Sequence, residues 1–218
     1  MADVVIQLKD VCKTFGKAEV LKQVTAKFEA GKIYGIIGRN GSGKTVLFKC
    51  ICGFVPVTSG TIRVRSQVVG KDVDIPKDMG IIIELPGFLP GYSGFHNLRF
   101  LARIRNKIDD EKIRETLRFV GLDPGDKKHV GKYSMGMRQR LGLAQAIMED
   151  PEILILDEPM NGLDRQGVKE IRQCLLKLRD QGKTILLASH NAEDIRVLCD
   201  RVYEMDAGEL FLAGEQPV

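Results

Sequence analysis

No stretch of this 218-residue sequence is long and apolar enough to cross a lipid bilayer as a helix. The longest runs free of charge, 50–62 (CICGFVPVTSGTI) and 85–98 (LPGFLPGYSGFHNL), are short and broken by Gly and Pro, whereas a span needs about 20 apolar residues. Cysteine is sparse and unpaired in pattern. The five, at 12, 50, 52, 174 and 199, form no pair of CxxC motifs that would offer a zinc site, so reduced thiols are predicted, with Cys50 and Cys52 in the core. There is no solenoid repeat, low-complexity tract or long linker. The start, MADVVIQLKD, mixes charges and has no long apolar core, so neither a signal nor a transit peptide is predicted and a cytoplasmic location is expected. A net charge of +4 permits an anionic partner without selecting one.

What is present reads as one domain with an insertion: 44% hydrophobic and 28% charged residues are ordinary for a globular chain. Residues 4–9, 24–28 and 61–65 alternate or carry β-branched side chains and predict an antiparallel sheet. The runs IYGII (33–37), MGIII (79–83), EILIL (152–156), KTILLAS (183–189) and RVYEM (201–205) are short and mostly unbroken, the pattern of strands covered on both faces of an α/β sheet. Between them, apolar residues at helical spacing over 97–120 predict a helical hairpin turning near Asp109 and Asp110. A further helix is predicted over 135–148, so 95–150 reads as an all-helical insertion.

Residues 38–45, GRNGSGKT, fit G-x-x-x-x-G-K-[ST] between a predicted strand and a predicted helix. Gly38, Arg39, Asn40, Gly41, Ser42 and Gly43 would crowd backbone N–H groups around phosphate oxygens, and Lys44 would reach the β and γ phosphates. The hydroxyl of Thr45 can ligate Mg²⁺. The alternative is a tight glycine turn that binds nothing. A second anchor for the metal is a carboxylate ending an apolar strand, which ILILDEP (153–159) supplies in Asp157, while Glu158 is placed to take a proton from an attacking water. A solvated acidic turn is the competing reading. Two separated motifs thus predict hydrolysis of a nucleoside triphosphate.

A second helix start suited to an anion lies at YSMGMRQR (133–140), where Ser134 is a cap and Gly136 leaves its N–H open. Together with the phosphate loop this stretch makes the sequence similar, over nearly its whole length, to the nucleotide-binding domain of ATP-binding cassette (ABC) ATPases. It resembles that family's signature motif, LSGGQ followed by a basic residue, with Met135 and Met137 in place of a Gly and the Gln. The resemblance implies that this helix start closes on ATP held by another subunit. Asn161, Gly162, Leu163 and Asp164 resemble the D-loop, Asp164 being also a candidate helix cap. His190 resembles the switch histidine that contacts the γ phosphate, and Phe15 the aromatic residue that stacks on adenine, with core packing as its alternative. Glu84 stands where the family has a metal-binding glutamine, and Val46 where a second hydroxyl residue is common at the ATP.

The resemblance further implies an α/β fold: a P-loop NTPase (RecA-like) core with an N-terminal antiparallel β subdomain, over about 1–94 and 151–218, and an inserted α-helical subdomain over about 95–150. It implies ATP and Mg²⁺ as cofactors and dimerisation on ATP binding, with an identical or a related ATPase subunit. It also implies a peripheral position at the inner face of the cell membrane, beneath a separate membrane-spanning subunit received by the helical insertion and residues 85–88. Tyr-Ser-x-Gly-Met-x-Gln-Arg and Ile-Glu-x-Pro-Gly-Phe are similar to bacterial cassettes serving bacteriocin, lantibiotic and drug exporters. Chromosome-maintenance and repair ATPases insert long coiled coils where only 157 − 44 = 113 residues lie here, translation cassettes pair two domains in one chain, and a small-molecule kinase leaves YSMGMRQR and His190 without a role. A nucleic-acid partner is therefore not expected.

Overall fold

A computed structural model describes residues 3–84 and 87–215. The chain opens with a long hairpin, β1 (Val4–Phe15) and β2 (Ala18–Glu29), then β3 (Ile33–Ile37) and helix α1 (Lys44–Ile51). Strands β4 (Ser59–Val64), β5 (Gln67–Val68) and β6 (Met79–Ile82) lead to three helices, α2 (Gly94–Arg105), α3 (Asp110–Phe119) and α4 (Met135–Ile147). The remainder alternates: β7 (Ile153–Asp157), α5 (Arg165–Asp180), β8 (Thr184–Ala188), α6 (Ala192–Leu198), β9 (Arg201–Asp206) and β10 (Glu209–Glu215).

Two sheets result. An antiparallel one has the order β2-β1-β4-β5, and the other, β10-β9-β3-β8-β7-β6, is parallel except for its β10 edge. The five apolar runs become the parallel strands; β3, β7 and β8 are covered on both faces, while β9, next to the β10 edge, leaves Glu204 and Asp206 exposed. Period-2 alternation then feeds two cores: Leu154, Leu156, Ile185 and Leu187 join the helices α2–α6 on one face. Ile153, Ile155, Leu186 and Ala188 join the hairpin and α1 on the other. Every residue of β8 is buried, so truncating Leu187 to Ala would cost about 2–5 kcal/mol.

Helix ends follow local chemistry. The expected hairpin is α2 and α3, separated by Asn106 at φ 50, with the Asp109 carboxylate accepting from Lys112 N at 2.9 Å as the α3 cap. Cys50 and Cys52 are buried as predicted, and burial pushes their thiols up to about 11 and about 12, so both stay neutral. Leu85 and Pro86, part of the segment expected to meet a membrane subunit, lie outside the described residues. Among the described residues no helix is long and apolar enough to cross a membrane.

Candidate active site

Strands β3, β8 and β7 are neighbours, with Ile36 and Asp157 both in register with Ala188. The segments that follow them, 38–43, 189–191 and 158–164, therefore leave the sheet side by side at its C-terminal edge, where ligands of such sheets bind. The glycine loop turns here because Gly38 sits at φ 147 with the Met205 carbonyl oxygen where a Cβ would go. It delivers α1 with Gly43 as cap and no side chain accepting from the first-turn amides, which leaves those donors for an anion.

Lys44 begins α1 and is buried; its Nζ donates to the carbonyl oxygens of Gly38 at 2.7 Å and Arg39 at 3.0 Å, folding the ammonium back over the loop. Ser42 Oγ is buried and has no hydrogen-bond partner among the described residues, an orphan that suits a loop built for a ligand. Thr45, next after Lys44, donates from Oγ1 to Asp157 Oδ2 at 2.6 Å, so the loop and the acidic strand end meet across 112 positions of sequence.

Glu158 continues from β7 at φ 50, a left-handed conformation that costs about 1–2 kcal/mol for a residue with a Cβ. Three hydrogen bonds hold it: its N–H donates to Ala188 O at 3.0 Å, and its carbonyl accepts from Gln139 Nε2 and from Asn161 N, each at 3.2 Å. The carboxylate Oε2 lies 2.9 Å from His190 Nδ1, so a proton on that nitrogen donates to it. A cavity of about 670 Å³ opens over Lys44, Thr45, Asp157 and Glu158, within the range of small-molecule sites. Asn40, Gly41, Gly43 and Val46 line it on the loop side, Met135 and Asn161 on the other.

Other expected residues fall around this cavity. Glu84 lines it at φ 63, its exposed carboxylate paired with Lys49 Nζ of α1 at 2.6 Å. Phe15 is not among the lining residues; it is 48% exposed at the end of β1, with Lys13 Nζ 4.7 Å from its ring centre. Ser134 caps α4, its Oγ accepting from Met137 N at 3.2 Å, and Asp164 caps α5, accepting from Gly167 N at 2.7 Å. The α4 start packs on the 161–164 turn of its own chain: a Cβ on Gly136 would lie 3.2 Å from Leu163 Cδ2, and the Met135 side chain lies against Gly162. Val20, Gln139 and Lys49 were not singled out from the sequence. Gln139 stands within YSMGMRQR, but its bond to the Glu158 carbonyl joins positions 19 apart and carries no local signal.

A phosphate-type loop and an acidic strand end meeting at the C-terminal edge of a parallel sheet define the P-loop NTPase class. The profile of the family described as ABC transporter matches residues 21–161. This chain belongs to the ABC transporter family, as an ATP-binding subunit. It is 42% identical over 94% of both chains to an uncharacterized ABC transporter ATP-binding protein, YybJ, of Bacillus subtilis. It is 39% identical to the bacitracin transport ATP-binding protein BcrA of Enterococcus faecalis, over 94% of this chain and 68% of the relative. To the lantibiotic transport ATP-binding protein SrtF of Streptococcus pyogenes it is 33% identical, over 96% and 90%. The solved dimeric ABC transporter cassette MJ0796 superposes with a TM-score of 0.85 at 23% identity, 97% of each chain being covered, and shares the fold.

Proposed function

We propose that this chain hydrolyses ATP in the cavity over the strand ends and thereby powers export of a peptide or antibiotic through a separate membrane subunit. The observation that carries the reading is the meeting of Thr45 with Asp157 and of Glu158 with His190 at one sheet edge, over one cavity. Loop amides from 38–45, the α1 N-terminus and the Lys44 ammonium take the phosphates, with Val46 beside them and Phe15 stacking on adenine from the edge. Hard oxygens suit Mg²⁺, and Thr45 and Asp157 would hold it with Glu84 nearby; when bound, it supplies neutralising charge on the β and γ phosphates.

Glu158 accepts the proton of the attacking water, and His190, held on that carboxylate, presents its other ring nitrogen to the γ phosphate. Ser134, Met135, Gly136 and Met137, with the 161–164 turn, face the ATP of a second copy or a related subunit. In this reading 95–150 is a helical subdomain separate from the β and core parts. Its exposed Phe100, packed edge to face at 5.0 Å on exposed Tyr92 just before the subdomain begins, supports it as the face that receives the membrane subunit at the cytoplasmic side. The bacitracin and lantibiotic names of relatives support the export class. Phosphate release by the purified chain tests the reading: Mg²⁺-dependent turnover of ATP that is lost in Glu158→Gln supports it, and turnover unchanged in that variant contradicts it.

A further inference from the structure

His190 is two-thirds exposed, so little packing orients its ring; its 2.9 Å contact with Glu158 and the backbone on either side of it do so. That backbone is tied to a buried ion pair. Arg172 on α5 and Asp194 on α6 are 8% and 3% exposed. Arg172 Nε and Nη2 both donate to Asp194 Oδ1, at 2.8 and 2.5 Å, while Nη1 lies 3.3 Å from Glu193 Oε1. The other carboxylate oxygen of Asp194 accepts from Ser189 Oγ at 3.1 Å, and Ser189 Oγ in turn accepts from Asn191 N, also at 3.1 Å. Both neighbours of His190 are therefore anchored on Arg172 through one carboxylate. Arg172 in turn rides on the helix that Asp164 caps, two turns from the 161–164 segment.

A buried ion pair adds little net stability over apolar side chains of similar size, but it fixes geometry. We infer that Arg172 is a positioning residue for hydrolysis: through Asp194 and Ser189 it sets the 189–191 segment so that His190 stays on Glu158, and it links that segment to the 161–164 turn. This rests on the proposed roles of Glu158 and His190.

The test uses full-length Arg172→Met/Asp194→Leu, which replaces the pair by apolar groups and keeps the core filled, His190→Gln, and the combination. The readouts are ATP affinity, kcat and the side-chain ¹⁵N resonances of the three histidines, His190 being assigned by its loss in His190→Gln. The expected result is ATP affinity within about twofold, kcat lower by about 10- to 100-fold, and the His190 Nδ1 signal moved from its Glu158-bonded position. Combining the pair substitution with His190→Gln then adds little further loss, as for residues acting through one another. A folded pair variant with wild-type kcat and an unmoved His190 signal overturns the inference, as do losses that simply multiply in the combination. If His190→Gln itself turns over at the wild-type rate, the assigned role of His190 fails, and the resonance alone decides whether Arg172 holds the ring. Should the pair variant not fold, Arg172→Lys, which keeps the charge without the forked grip, takes the same measurements.

Discussion

Lys44→Met separates the charge of the phosphate loop from its shape. The lysine stem is buried, so Met retains most of the packing while the ammonium and its bonds to Gly38 O and Arg39 O, at 2.7 and 3.0 Å, are lost. Opposite unit charges about 4 Å apart interact by about 4 kcal/mol at an effective dielectric of about 20. Partial release from the two carbonyls on meeting phosphate offsets about 1–2 kcal/mol of this. The net, about 2–3 kcal/mol, is a roughly 30- to 150-fold weaker Kd for ATP. Titration calorimetry with ATP and with AMP makes the comparison specific, because in the proposed site the ammonium faces the β and γ oxygens, which AMP lacks. AMP affinity should hold while ATP affinity falls. A Kd for ATP within threefold of wild type in a normally folded variant, or equal losses for AMP and ATP, would refute the assignment of Lys44.

Glu158→Gln keeps the side-chain length and a partner for His190 but removes the proposed base, so hydrolysis should drop by about 10²- to 10⁴-fold with ATP binding retained; a stopped-flow phosphate assay checks it. Gly136→Asp places a Cβ 3.2 Å from Leu163 Cδ2 and 3.3 Å from Gly162 O, so crowding against its own turn opposes the gain an acid makes at a helix start. ATP affinity should hold, Tm should fall by a few degrees, and hydrolysis should fall by more than about tenfold; a fully active variant leaves YSMGMRQR as a capped helix only. Glu84→Gln removes the 2.6 Å pair with Lys49 at an exposed position, so Tm should barely move while the Mg²⁺ needed for half-maximal hydrolysis rises about 3- to 10-fold. An unchanged Mg²⁺ titration would remove Glu84 from the metal site.

Strands β3, β7 and β8 were legible because each is buried on both faces and so reads as an unbroken apolar run, whereas β9 alternates buried Tyr203 and Met205 with exposed Glu204 and Asp206. The first two strands run longer than the alternation suggested, since Asp10 at φ 50 and Gln23 at φ 48 sit at interruptions of the β1–β2 pairing that break the period-2 pattern. Strand β10 (ELFLAGE) leaves Phe211 and Leu212 about half exposed on the sheet edge, and β5 has two residues, so neither carries a burial signature. The loop 38–45 and the strand end at 157–158 were readable because phosphate and metal chemistry dictates residue types at short spacing. The bonds that shape the site were not: Lys49 with Glu84, Gln139 with the Glu158 carbonyl and Arg172 with Asp194 join distant residues whose pairing only the fold creates.

The proposal that this chain completes its partner's ATP site is tested most directly by the mass of Glu158→Gln in light scattering at saturating ATP and Mg²⁺. The account predicts twice the 24.3 kDa of one chain, returning to the single-chain value when Gly136→Asp is added although ATP still binds. A single-chain mass for Glu158→Gln with ATP bound, or a dimer indifferent to Gly136→Asp, would contradict it.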